Sequence, residues 1–294
     1  MNKSACLQRI RERSRSSAVE PPPDAEARLR PLENIRAVVF DVYGTLFSSG
    51  VGDISLAAEA DRNQALRDTL ADSSIRTTDT RSRLDQAFTG IVRKQQAARR
   101  QEGIEFPEVE IRDVWKEFLQ TLPGAPNAGR LPDLEDLAVD YETRVNPTRP
   151  MPGLEAVLTE LRGRGIKMGI VSNAQFFTPL LFEAFLEMDL AALGLDPECC
   201  VWSYRLLEAK PSLRLYREAA DRLATGYGIE PGESLYVGND LRNDIWPASE
   251  LGYQTALFAG DRLSLRRRTD DPDCAGVRAD LEITNLGQVL ECLL

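Results

Sequence analysis

The chain contains no histidine. That absence excludes Ser-His-Asp and Cys-His catalysis and every histidine-bearing metal site. Chemistry is left to carboxylates, hydroxyls, lysine and a hard, oxygen-bound cation. Cysteine is scarce as well: Cys6, Cys199, Cys200, Cys274 and Cys292 form no C-x-x-C pair and no regular framework, so neither a zinc site nor a disulfide scaffold is expected. Their pattern fits a reducing cytoplasm, and Cys199 and Cys200, inside an apolar run, read as packing residues. No apolar run approaches the roughly 18–20 residues of a membrane helix, so no membrane partner is expected. Basic charge is short: 36 Lys and Arg stand against 46 Asp and Glu, a net charge of −10. Such a chain lacks the basic face that non-specific nucleic-acid binding needs.

What is present suits one large domain, or a core domain with a second inserted into it. Residues 1–34 are Arg-, Ser- and Pro-rich. They have no apolar core of a secretory signal, and their acids weaken a transit-peptide reading. They are expected to form a disordered or loosely docked extension. Beyond them, short apolar runs at Ile35–Phe40, Ile166–Val171, Cys199–Trp202, Ser234–Val237 and Thr255–Phe258 read as buried strands, with Leu281–Ile283 a weaker sixth. Helical patterns lie between most of them, as in "GLEAVLTELRGRG" and in "PSLRLYREAADRLATGYG", the latter with proline suited to a first turn. Strand, helix, strand in succession predicts an α/β fold with a Rossmann-like parallel sheet.

One interval breaks that rhythm. Residues 48–148 hold no convincing strand, only helix-prone sequence such as "EIRDVWKEFLQTL". A loop of that length does not fit a compact domain, so a mainly α-helical inserted domain is expected there, flanked by a core of 35–47 and 149–294. Its boundaries fall at "SSGVGD" and "RVNPTRPMPG". The basic run in "GIVRKQQAARRQEG" reads as a solvated helix face.

Four expected strand ends carry polar groups: Asp41 with Thr45; Ser172 and Asn173; Lys210 ahead of a helix; and Asn239, Asp240 and Asp244 in "YVGNDLRND". Each alone suits a cap or a turn. In a parallel sheet, however, the strand tips converge on one crevice. Together they offer a carboxylate nucleophile, a hydroxyl donor, a cationic clamp and acids able to hold a cation through oxygen.

With "FDVYGTLF", "IVSNA", "KPSLRLY" and "VGNDLRNDIWPA" in this order, the chain resembles the haloacid dehalogenase-like hydrolase superfamily over residues 35 to about 285. The resemblance makes the inserted domain the family's cap in its first insertion position. It implies Asp41 as nucleophile; Tyr43, Thr45 and Lys210 in the catalytic set; and Ser172, Asn173 and Lys210 on the transferred group. It further implies Mg²⁺ as cofactor, held by Asp41, the main-chain carbonyl of Tyr43, and either Asn239 or Asp240 with Asp244. Two positions depart from the family's phosphatases. Tyr43 stands where they carry a second Asp, and the fourth motif reads Gly238-Asn239-Asp240 where Gly-Asp is usual. Tyr43 resembles the 2-haloacid dehalogenases, as does Tyr216 six residues after Lys210, although a helix there needs an apolar residue anyway. The acids Asp240 and Asp244 near Asp41 favour a metal, because clustered carboxylates raise one another's pKa unless a cation joins them. The expected function is thus a cytoplasmic Mg²⁺-dependent phosphatase acting on a small phosphorylated molecule through an aspartyl-phosphate. The alternatives are a metal-free 2-haloacid dehalogenase and a binding protein on a degenerate hydrolase fold.

Overall fold

The structure is a computed structural model that describes residues 2–14, 19–49, 59–75, 83–122 and 132–294. The expected boundary at "SSGVGD" lies partly outside the described residues. The chain opens with α1 (Lys3–Arg13), then β1 (Ala37–Phe40) and β2 (Phe47–Ser49). Four helices come next: α2 (Glu59–Asp72), α3 (Leu84–Gln101), α4 (Ile111–Thr121) and α5 (Leu134–Val145). The remainder runs β3 (Thr148–Pro150), α6 (Leu154–Gly163), β4 (Lys167–Ser172), α7 (Pro179–Leu186), β5 (Leu195–Trp202), α8 (Ser203–Leu206), α9 (Leu213–Tyr227), β6 (Ser234–Gly238), α10 (Trp246–Glu250), β7 (Gln254–Phe258), β8 (Leu281–Ile283) and α11 (Gln288–Cys292).

The main sheet has strand order β5-β4-β1-β6-β7-β8, and every pair in it is parallel. Helices cover both faces, which is why β1 reads as an unbroken apolar run. One face packs Val39, Val171, Val201 and Tyr236 against Leu215, Ala219 and Leu223 of α9. The other packs Val38, Phe40, Ile170 and Val237 with Val157, Leu158 and Leu161 of α6. Cys199 and Cys200, on β5, go one to each face, both buried. At the start of α9, Ser212 caps the helix by accepting from the Arg214 N–H at 3.2 Å. Pro211 therefore precedes the cap instead of occupying the first turn.

Two features were not expected. β2 and β3 pair antiparallel and bring the two ends of the 48–148 interval together. Three residues each are too few for a periodicity to register. Between them the described residues are helical wherever they are regular, and α3 and α4 bury Phe88, Trp115 and Phe118 against Tyr141 of α5. Arg93, Lys94 and Arg100 of α3 are exposed.

The second is α1. Residues 3–13, expected as disordered or loosely docked, form a helix that buries Cys6 and Ile10. Asn2 caps it by accepting from the Ala5 N–H, and Arg11 and Arg13 occupy the last turn, where the helix dipole favours cations. Residues 28–32 continue along the core. Arg28 exchanges both main-chain hydrogen bonds with Glu282 on β8, and the Leu32 N–H donates to the Cys292 carbonyl. Among the described residues, no helix is long and apolar enough to cross a membrane.

Candidate active site

The strand order reverses at β1: after it the chain builds outward through β4 and β5 on one side, then returns to β6 and builds outward through β7 and β8 on the other. The crevice beyond the carboxyl ends of such strands is where an α/β sheet leaves room for a ligand. Asp41 is the first residue past β1, and its N–H still donates to the Val237 carbonyl of β6 at 2.9 Å. The chain then coils tightly, with the N–H groups of Thr45, Leu46 and Phe47 all donating to the Val42 carbonyl. Gly44 takes φ +89°, and a Cβ there would lie 2.6 Å from Asn239 Nδ2. Only glycine satisfies both conditions.

Three buried charges meet at these tips. Lys210 Nζ donates to Asp41 Oδ1 and to Asp244 Oδ1, each at 2.7 Å. Ser172, the last residue of β4, donates to Asp41 Oδ1 at 3.0 Å. Thr45 Oγ1 lies 3.1 Å from Asn239 Oδ1 and 3.4 Å from Asp41 Oδ2, bridging the two. Asp41, Ser172, Lys210 and Asp244 are all nearly inaccessible to solvent. Burial raises the Asp244 carboxyl while Lys210 opposes it. Burial alone would lower the Lys210 ammonium, but Asp244 and Asp41 raise it, so it stays protonated.

Asp244 reaches the cluster because the segment Leu241–Ile245 is a π turn. Such a turn holds an extra residue and re-aims the side chains after it, a device frequent at functional sites. Gly238 makes room for it: a Cβ at 238 would sit 2.4 Å from Asp244 Cγ.

Of the two candidates in the fourth motif, Asn239 is the one turned toward the cluster. Its side chain faces the cluster, its Nδ2 donating to the Ser264 carbonyl at 2.6 Å. Asp240, expected as a candidate metal ligand, is not brought in. Its oxygens accept from Arg268 at 3.0 and 2.5 Å and cap the π turn through the Arg242 and Asn243 N–H groups. Adjacent side chains at a strand end leave in different directions, so only one of the pair can face Asp41. Asn173 has a structural task at this site. It is exposed, and its Oδ1 accepts the Lys210 N–H at 2.8 Å, fixing the lysine's backbone.

Tyr43 is half-buried and pairs its hydroxyl with Thr178 Oγ1 at 3.1 Å. Burial pushes its phenol well above its ordinary value, with nearby Glu142 and Asp41 adding to the effect and Thr178 opposing it. Tyr216 is a packing and anchoring residue. Its ring lies 5.1 Å from that of Tyr236, and its hydroxyl donates to the Asn243 carbonyl inside the π turn.

Sequence reasoning did not single out Tyr236, Ser264 or Arg268. The Tyr236 hydroxyl lies 3.2 Å from Asp244 Oδ1 and 3.0 Å from the Val171 carbonyl. It occupies a strand position where any large residue fits the pattern, and the other two sit beyond the motif.

The side-chain oxygens that could hold a cation here are those of Asp41, Asp244 and Asn239. Asp41 and Asp244 already converge on one ammonium, so their oxygens are placed for a shared positive charge. The set is all oxygen, as Mg²⁺ requires. Among the described residues, no three Cys, Asp or Glu side chains cluster as metal ligands. Beside Asp41 and Asp244, the third side-chain oxygen facing the cluster is that of the Asn239 amide.

A model of the haloacid dehalogenase-like hydrolase family matches residues 35–252. The chain is 27% identical to the glyceraldehyde 3-phosphate phosphatase of Methanopyrus kandleri over 240 residues, 81% of this chain and 90% of that protein. It is 25% identical to the enzyme of the same name from Methanothermobacter thermautotrophicus over 142 residues, spanning 48% of this chain and only 59% of that relative. It is also similar to the mouse haloacid dehalogenase-like hydrolase domain-containing protein 3, at 29% identity over 51% of this chain and 57% of that one. Among solved structures, a 2-haloacid dehalogenase from Pseudomonas syringae aligns with TM-score 0.54 and 16% identity, over 88% of this chain and 97% of that one. A HAD phosphatase from Thermococcus onnurineus aligns with TM-score 0.51 and 19% identity, over 88% and 99%. At such identities these two likenesses speak to the fold alone.

Proposed function

The chain belongs to the haloacid dehalogenase-like hydrolase family, and from that premise we propose that it is a Mg²⁺-dependent phosphatase of small phosphorylated molecules, working through an aspartyl-phosphate on Asp41. In this reading residues 35–47 and 149–294 are the core domain and residues 48–148 the cap over its site. The observation that carries it is the single ammonium of Lys210 shared at 2.7 Å by Asp41 and Asp244. A phosphate dianion approaching two carboxylates and one ammonium meets net negative charge. The oxygens of Asp41, Asp244, Asn239 and the Tyr43 carbonyl would hold a divalent cation, whose charge would remove that repulsion. When bound, it would also offset charge on the transferring phosphoryl group. The names of the two archaeal relatives make glyceraldehyde 3-phosphate the first ester to assay.

Ser172 and Lys210 orient the Asp41 carboxylate by donating to Oδ1. Its other oxygen, Oδ2, attacks phosphorus as the bond to the leaving oxygen breaks, and that oxygen takes up a proton. Water then attacks the aspartyl-phosphate, releasing phosphate and a proton and restoring the carboxylate. Turnover of phosphate esters and of 2-haloacids, each with Mg²⁺ and with EDTA, tests the reading. Metal-dependent phosphate release is the expected result. Metal-independent halide release, which Tyr43 would permit because halide leaves without a proton, selects the dehalogenase instead. A folded chain that binds phosphate analogues and turns over neither class is the degenerate binding protein.

Two further outcomes are expected. Mg²⁺ should raise the melting temperature by mass action, worth about 2.7 kcal/mol at 100 times its Kd. Differential scanning calorimetry should show Asp244→Asn losing that shift and Asp240→Asn keeping it, since Asp240 is held by Arg268. Loss in Asp240→Asn alone would reverse the assignment of Asn239.

Tyr43→Asp should speed hydrolysis of alkyl phosphates at least about tenfold, a conservative part of the ~10²–10⁴ of general acid–base catalysis. With its phenol pushed up by burial, Tyr43 is a poor base at neutral pH. Aryl and acyl phosphates, whose leaving groups need little protonation, should gain less. A folded, Mg²⁺-binding variant with no gain on any ester would remove the main support for phosphoryl chemistry.

A further inference from the structure

The N-terminal helix α1 lies outside the residues matched by the family model, yet it touches both parts of the molecule. Toward α5, in the inserted interval, Arg13 donates to the Asp140 carbonyl at 2.8 Å and to Thr143 Oγ1 at 3.0 Å. The Arg13 guanidinium also pairs with Asp140 Oδ1 at 2.8 Å. The Asn2 N–H and the Cys6 thiol donate to Asp136 Oδ1. Toward α7, in the core, Lys3 pairs with Glu183 at 2.6 Å, and Arg11 donates to the carbonyls of Ala184 and Glu183.

The candidate site needs an opening. Ser172 is 0% exposed, Asp244 2%, and Asp41 and Lys210 6%. In the reading above, movement of the inserted part away from the core provides that opening. Besides the β2–β3 pair, the two parts meet along a second seam. There the Glu108 N–H donates to the Leu207 carbonyl at 3.0 Å, the Ala209 N–H to Phe106 at 2.7 Å, and the Ile111 N–H to Gln175 Oε1 at 3.1 Å. Gln175 Nε2 in turn donates to the Val109 carbonyl at 2.9 Å, and Ser203 donates to Glu108 at 2.8 Å.

We propose that α1 is a strap that holds the inserted domain closed on the core, staying with α5 and releasing α7 when the site opens. The inference rests on reading residues 48–148 as a movable cap. The unequal anchoring sets which side lets go. On the α5 side the acid is Asp140, whose side chain is 4% exposed and which also accepts from Thr69 and Arg144. Stripping Arg13 from it leaves a buried carboxylate with fewer partners, which is costly. On the α7 side Lys3 is 54% exposed and Arg11 47%. Solvent-exposed ion pairs of this kind are weak. The strap therefore has a firm end and a loose end.

Hydrogen exchange in the absence of substrate tests this on the full chain, on Lys3→Glu/Arg11→Glu, which sets two acids against Glu183 and Glu187, and on a chain lacking residues 2–14. In both variants the seam amides of Glu108, Ile111 and Ala209 should exchange about tenfold faster, equivalent to about 1.4 kcal/mol. The amides of Val39 and Phe40 in β1 should be unchanged. Unaltered seam exchange in the double variant overturns the proposal, as does equal acceleration of seam and β1, which would make α1 a contributor to global stability only. If the truncated chain does not fold, the double variant decides. No turnover is measured, so the result stands apart from the fate of the phosphatase reading.

Discussion

Asp41→Asn is expected to abolish turnover while leaving the protein at least as stable as before. Loss of a catalytic nucleophile can cost on the order of 10⁶ in kcat, and a reduction of about 10⁴ or more would place Asp41 in that role. The stability half of the expectation comes from the charges around it. Asp41, Lys210 and Asp244 form a buried triad with one ammonium between two carboxylates, a net charge of −1. Asn at position 41 leaves a neutral Lys210–Asp244 pair and an amide that can still accept from Ser172 and Lys210. Burial of excess charge is the costly state, so the melting temperature should hold or rise. Steady-state rates beside a thermal melt give both answers. Retained activity would remove Asp41 from the nucleophile's role, and a collapsed melt would make it a structural residue.

Lys210→Met has the opposite signature, losing activity and stability together. Methionine is close to lysine in length and keeps the packing, so the loss reports on charge. Two carboxylates, both nearly inaccessible, would then face each other with no cation. Breaking a buried pair by removing one partner typically costs about 3–5 kcal/mol, and chemical denaturation should find a loss of that order. Adding Asp244→Asn to Lys210→Met should recover part of it, because that removes one of the two stranded charges. No recovery would mean that the two acids do not share the lysine. Activity should stay lost in the double variant, since Asp41 would lack the donor that orients it.

Much of this site was legible because its parts are local. Asp41 follows an apolar run and Ser172 ends another, and short-range pattern carries both. The helix of residues 3–13 was not foreseen, although Asn2 suits a cap and Cys6, Leu7 and Ile10 share one face. The Arg, Ser and Pro composition of residues 1–34 as a whole masked that short periodicity. Other features had no local signal. The choice between Asn239 and Asp240 depends on which way a strand end points and on Arg268, 28 residues further on. Nor does the sequence show that Asn173 Oδ1 accepts the N–H of Lys210, 37 residues away.

By itself, then, the order of residues determined the parallel α/β core, the helical interval within it and the candidate nucleophile, because each rests on periodicity or on a turn closed within a few residues. The tertiary structure decided which acid shares the lysine with Asp41, which side chain of the fourth motif faces the crevice, and that α1 spans two parts of the molecule. Those outcomes depend on groups far apart in the chain meeting in a space where burial makes every unpaired charge costly.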